Sequence, residues 1–175
     1  MKILVTTAPF GEIDRTPINL LQGVNCIVQQ NPFGRRLTEG ELVELVPGCD
    51  VLIAGTEPIT EKVLSSASEL RLISRVGIGL DSVDLGEAKR RQITVSYTPD
   101  APAPAVAELT LGLMLSMLRN ITTSNNSLRE GQWHRYFGKR LSECKVGIIG
   151  FGRIGRRVTK LLDGFECKEI LVNDL

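Results

Sequence analysis

What most limits how this chain can fold is a regular alternation of short apolar runs with longer helical patterns. Apolar runs at residues 3–6, 25–28, 51–54, 72–75 and 93–96 are strand-length and bounded by turn-forming residues. Between them, residues 16–21, 38–46, 60–66 and 84–91 carry helical spacing. Two of these helices have start signals: Thr38 stands three residues before Glu41, the capping-box distance, and Thr60 precedes the acidic Glu61. Strands alternating with helices predict a parallel sheet covered by helices on both faces. Five such repeats make an α/β, flavodoxin-like parallel-sheet domain over residues 1–98.

Residues 98–104 contain three prolines (Pro99, Pro102 and Pro104), which no helix interior accepts. Residues 106–121 then read as one long helix, apolar nearly all round through Leu109, Leu111, Leu113, Met114, Leu115, Met117 and Leu118. A helix of that kind is buried on most sides. A polar stretch, 122–140, completes a connector over 99–144. Beyond it lie a buried-type strand (145–149), a helix (153–162) and a second strand (169–173). That is one β-α-β unit, 145–175, where a doubly wound domain needs several further strands. Alone, it buries little apolar surface.

A net charge of +1 gives no pull toward nucleic acid or an anionic membrane. The apolar stretch 109–118 is too short to span a bilayer, and the first residues lack a signal-peptide layout. A cytoplasmic protein is expected. Cys26, Cys49, Cys144 and Cys167 have no C-x-x-C spacing, and His134 is the sole histidine. The cysteines therefore read as structural thiols, with no metal site.

Gly150-Phe151-Gly152-Arg153-Ile154-Gly155 fits G-x-G-x-x-G. The pattern alone is weak, since glycine turns are common. Here a strand precedes it, a helix opens within it, and Asp174 follows Gly155 by 19 residues at the end of the next strand. Gly150 permits a tight turn, Gly152 a close pyrophosphate, and Gly155 close helix–strand packing. Free N–H groups of the turn, with Arg153 and Ile154 at the helix start, then hold phosphate charge. Asp174 accepts from the ribose hydroxyls and repels a 2′-phosphate, so NAD is expected rather than NADP. Residues 145–175 then read as the truncated start of a Rossmann NAD-binding domain.

In order along the chain stand 54–60 (Ala-Gly-Thr-Glu-Pro-Ile-Thr), 75–85 (Arg-Val-Gly-Ile-Gly-Leu-Asp-Ser-Val-Asp-Leu), Pro104-Ala105-Val106-Ala107-Glu108, Gly131-Gln132-Trp133, and the fingerprint. Through these motifs the chain resembles the D-isomer-specific 2-hydroxyacid dehydrogenases, most closely their phosphoglycerate dehydrogenase-like branch. The resemblance implies hydride exchange between NAD and a 2-hydroxy or 2-keto acid. It implies a substrate domain built first, with the nucleotide domain inserted into it. Arg75, Val76, Gly77, Ile78 and Gly79 would line the substrate site, with amides of 77–79 facing a carboxylate. Ile78 would also approach the nicotinamide.

The resemblance further implies a homodimer packed through helix 106–121. It assigns no catalytic role to Glu108 or His134, and makes Trp133 a packing anchor. Ala54 stands where phosphoglycerate dehydrogenases often place an Arg for the substrate phosphate, which points away from 3-phosphoglycerate. The family's catalytic Arg, Glu and His have no counterpart in residues 1–175. No catalytic residue is therefore expected in this chain, and no turnover from it alone. The alternative reading is a catalytically inactive, truncated homologue acting as a binding or dimerisation module.

Overall fold

The computed structural model describes residues 1–175. The chain divides into two units, Met1–Pro99 and Asp100–Leu175.

The first unit alternates β1 (Lys2–Val5), α1 (Thr16–Gly23), β2 (Ile27–Gln30), α2 (Glu39–Leu45), β3 (Val51–Ala54), α3 (Glu61–Ser65), β4 (Leu72–Arg75), α4 (Leu85–Arg90) and β5 (Thr94–Tyr97). All five strands are parallel, in the order β2-β1-β3-β4-β5. The central strands β1 (from Ile3) and β3 are continuous apolar runs, as a parallel sheet covered on both faces requires. Leu4 lies opposite Leu52, Leu52 opposite Ile73, and Ile73 opposite Val95, a row across one face of the sheet. Leu42, Val46, Val63 and Leu64 from the flanking helices close over it. Leu4, Leu52 and Ile73 are fully buried. Such burial contributes roughly 1.5–3 kcal/mol per side chain.

Local signals act as expected at α2. Thr38 Oγ1 accepts from the Glu41 amide at 3.3 Å, and the Thr38 amide donates to Glu41 Oε2 at 2.8 Å. Thr60 makes no such cap; its hydroxyl instead donates to Glu39 Oε1 at 2.5 Å, tying α3 to α2. The second strand lies two residues later than its sequence pattern suggests. Asn25 adopts φ 52°, in the left-handed region that ends a turn, and the Ile27 amide makes the first bond, 3.0 Å to Met1 O.

The second unit contains α5 (Ala103–Leu118), α6 (Ile121–Arg129), β6 (Lys145–Ile149), α7 (Arg153–Leu162) and β7 (Glu169–Asn173). The β6 and β7 strands pair in parallel as a separate two-stranded sheet. Residues 100–144, read from sequence as a connector, fall in this unit.

Its long helix starts before residue 106 because Pro104 sits in the first turn, where no intrahelical N–H is needed. It stops at Leu118, and Asn120 at φ 54° breaks the path before α6. The polar stretch thus hides a helix. Thr122-Thr123-Ser124-Asn125-Asn126 offers no apolar stripe from which to read one.

The expectation that the long helix is buried on most sides needs correcting. Ala107, Leu111, Met114, Leu115 and Leu118 form a core with Val158 and Leu162 of α7. On another face Leu109, Leu113 and Met117 are 62%, 57% and 80% exposed. No helix is long and apolar enough to cross a membrane.

Candidate functional site: a glycine turn and the loop after β4

In the second unit, β6 runs straight into the glycine turn and α7. Ile149 pairs with Asn173, and the Gly150 amide donates to Asn173 O at 2.8 Å. Asp174 therefore follows directly on the rung that opens the turn. It is exposed, and its Oδ1 accepts from the Leu175 amide at 3.0 Å.

The three glycines have distinct reasons. Gly150 has φ 92°, which an L side chain rarely adopts. A Cβ at Gly155 would overlap the carbonyl oxygen of Gly150 and lie 3.1 Å from its carbon, so α7 approaches the turn only because that atom is missing. A Cβ at Gly152 would meet nothing within 4 Å, leaving open space on that side of the turn.

Gly152 is also the cap of α7 and supplies no side-chain acceptor. The first-turn amides, including those of Arg153 and Ile154, are left without intrahelical partners. Arg153 Nε donates to Asp100 Oδ1 at 2.6 Å, so its charge is already matched. The pair is exposed and contributes at most about 1 kcal/mol. Ile154 turns into the apolar cluster behind the turn.

In the first unit, β4 ends in the loop 76–82. The Val76 amide donates to Ala54 O at 2.8 Å. Gly77 exchanges bonds with Thr98: its amide donates to Thr98 Oγ1 at 2.8 Å, and its carbonyl accepts from the Thr98 amide at 3.0 Å. Of the three amides expected to face an anion, Gly77's is thus engaged by the protein. Ile78 and Gly79 donate no backbone hydrogen bond.

Arg75 is 8% exposed, and its guanidinium donates to Val76 O and lies against Gly77. No carboxylate pairs with it. The only buried side-chain polar atoms without a hydrogen-bond partner are Arg75 Nε and Ser82 Oγ, at the two ends of this loop. Orphaned buried donors are rare and need an explanation. The sequence did not single out Ser82 or Thr98, because one small hydroxyl at a loop end has no periodicity to signal it.

Residues 3–168 match the family described as D-isomer specific 2-hydroxyacid dehydrogenase, catalytic domain. The chain belongs to this family.

Its relatives include a hydroxypyruvate reductase of Thermotoga maritima, 41% identical over 137 residues, covering 77% of this chain and 45% of the relative. A D-3-phosphoglycerate dehydrogenase of Methanocaldococcus jannaschii is 41% identical over 133 residues, covering 74% and 25%. The crystal structure of NAD+-bound 3-phosphoglycerate dehydrogenase of Entamoeba histolytica superposes with a TM-score of 0.81 at 26% identity, covering 99% of this chain and 54% of that one. The chain thus spans about half the length of the first and third, and a quarter of the second.

Within this dehydrogenase-family chain the remaining singled-out residues have plain surroundings. Ala54 is fully buried at the end of β3, beside Arg75 in register. His134 packs its ring against Tyr136, centroids 4.5 Å apart. Trp133 is 81% exposed, so it anchors nothing within the chain, contrary to expectation. Burial pushes the Cys49 thiol up, away from the reactive thiolate form.

Proposed function

We propose that residues 1–175 belong to an NAD-dependent 2-hydroxyacid dehydrogenase of the phosphoglycerate dehydrogenase-like branch. The first unit is then its flavodoxin-like substrate-binding domain. The β6–α7–β7 segment is the opening βαβ unit of its Rossmann NAD-binding domain, and 100–144 carries the helix that joins subunits. The observation that carries this reading is the rung from Gly150 to Asn173, which brings Asp174 to the mouth of a turn with open space over Gly152. NAD, when bound, supplies or accepts the hydride.

The chain's own residues bind and orient. Gly150, Gly152 and Gly155 shape the turn, the amides at the start of α7 receive the pyrophosphate, and Asp174 receives the adenine ribose. In the first unit, the Ile78 and Gly79 amides receive the substrate carboxylate. Arg75 supplies the buried positive charge beneath it, and Ser82 offers a further donor. Val76 and Ile78 give the loop an apolar face. Ala54 brings no cation for a substrate phosphate, which favours a small 2-keto acid over 3-phosphoglycerate.

Titrating 15N-labelled chain with NAD+ and then with pyruvate tests this reading. NAD+ is expected to shift the amides of 150–155 and 174, and NADP+ to bind more weakly. Pyruvate is expected to shift 78 and 79. Shifts scattered elsewhere, or equal response to NADP+, would refute the assignment. A polypeptide of these residues alone is expected to oxidise no NADH with pyruvate, since His134 is its sole histidine and lies in neither site.

A second reading, a dimerisation module without turnover, is favoured by one feature. Leu109, Leu113 and Met117 recur every four residues on one exposed face of α5. That face also suits a homodimer of the enzyme, so the two readings differ in turnover and not in assembly.

A further inference from the structure

Glu57 is a buried carboxylate, 1% exposed, that the reading above leaves without a role. Its Oε1 accepts from the Thr6 hydroxyl and from the Gly55 amide, the latter at 2.8 Å. The same Thr6 hydroxyl also lies 3.1 Å from Ile53 O. Glu57 therefore fastens the segment after β3 to the end of β1.

That segment holds both ends of the anion loop. Ala54 O accepts from the Val76 amide at 2.8 Å where the loop begins. Where it ends, the Ile59 amide donates to Ser82 O at 2.7 Å, and Ile59 O accepts from the Asp84 amide at 2.9 Å, an isolated parallel bridge between Ile59 and Val83. No cation pairs with the Glu57 carboxylate, so it offers the fold acceptor geometry and not charge neutralisation.

We propose that Glu57 is a positioning residue that sets the anion loop 76–82 through the segment 54–59. This rests on the substrate-carboxylate reading of that loop. Gln at 57 keeps the Oε1 acceptor, whereas Ala leaves the buried Gly55 amide with no partner, because Thr6 can turn to Ile53 but Gly55 cannot turn.

Two measurements on the 175-residue chain separate the two ideas. Hydrogen exchange reads the clamp without ligand: in Glu57→Ala the amides of Ile59, Val76 and Asp84 lose roughly tenfold in protection, and Glu57→Gln restores it. Pyruvate titration followed at Ile78 and Gly79 reads binding: Glu57→Ala weakens it roughly tenfold, and Glu57→Gln stays near wild type. Thr6→Val, which keeps the Gly55 bond, falls between them and serves if Glu57→Ala does not fold. Unchanged protection in Glu57→Ala, or a Glu57→Gln as impaired as Glu57→Ala, overturns the positioning role. Lost protection in Glu57→Ala together with no pyruvate response in the wild type upholds the clamp and overturns the carboxylate reading.

Discussion

Replacing Gly155 with Ala sets two physical effects against each other at one atom. Gly155 is the third residue of α7, so the preference of a helix for Ala over Gly, about 1 kcal/mol in an interior, is an upper bound here, and propensity alone predicts a more stable chain. Packing predicts the opposite. The new Cβ overlaps Gly150 O and stands 3.1 Å from Gly150 C and 3.5 Å from Ile148 Cγ2. Relieving that overlap moves α7 outward by about 1 Å, because the obstacle is backbone and cannot rotate away.

The move loosens Val158 and Leu162 from their cluster. Overpacking of this kind costs about 1–3 kcal/mol. With a rigid obstacle the upper end applies, leaving a net loss of about 2 kcal/mol after the helix gain. At a typical dependence of 1–3 kcal/mol per molar urea, the midpoint of the second unit falls by about 1 M. Hydrogen exchange at β6 and α7 amides, run alongside urea unfolding, distinguishes this unit from the first. Gly152→Ala is the control: its Cβ meets nothing within 4 Å, so stability holds while NAD+ binding falls. A Gly155→Ala chain as stable as wild type would mean that helix and turn do not approach as closely as described.

Asp174→Ala is expected to weaken NAD+ about 10- to 100-fold, the worth of hydrogen bonds to a charged group, and to narrow the preference over NADP+, measured by titration. Leu113→Lys with Met117→Lys should convert a self-associating chain to a monomer in size-exclusion chromatography with light scattering; a wild type already monomeric at high concentration would remove the basis for an α5 dimer. Acid should loosen the α2 end of the first unit. Hydrogen bonding from Arg35, then from the Thr38 amide, holds the Glu41 carboxyl down at about 2, from an ordinary 4.5. A depressed carboxylate stabilises the fold above its unfolded value, so this contribution is whole above pH 4.5 and is lost as pH falls toward 2. Glu41→Gln should flatten that part of a stability–pH curve, and an unchanged curve would show that the pair contributes nothing.

Strand and helix alternation was legible because each strand of the first unit carries a run of two or more apolar or β-branched residues (at Thr94–Tyr97 the run is Ile93-Thr94-Val95), and the turns between have their own chemistry. Val51–Ala54, Leu72–Arg75, Lys145–Ile149, Arg153–Leu162 and Glu169–Asn173 lie where the pattern put them. The failures have local causes. The Ile121–Arg129 helix carries no apolar face, and the β2 strand begins after a left-handed Asn25 that composition does not flag. The glycine turn was readable from its spacing between a strand and a helix; within the chain only Gly150, by its φ, and Gly155, by its contact with Gly150, have to be glycine. The loop proposed to receive an anion was only partly legible. Arg75 and the glycines could be named, but the Thr98 bond to Gly77 and the unpartnered Ser82 come from segments that meet only in space. Glu57 reads in sequence as one more surface acid before a proline, and nothing in its neighbours announces that it is buried.

The two-stranded β6–β7 sheet leaves each strand with one flank that bonds to nothing in the sheet, beside the apolar Ile149, Leu171 and Val172. Such a flank is a template, and any extended segment that reaches it can be stitched on rung by rung. Preparations of the isolated 175 residues should therefore become turbid on concentration, first through this sheet, while the five-stranded sheet remains intact.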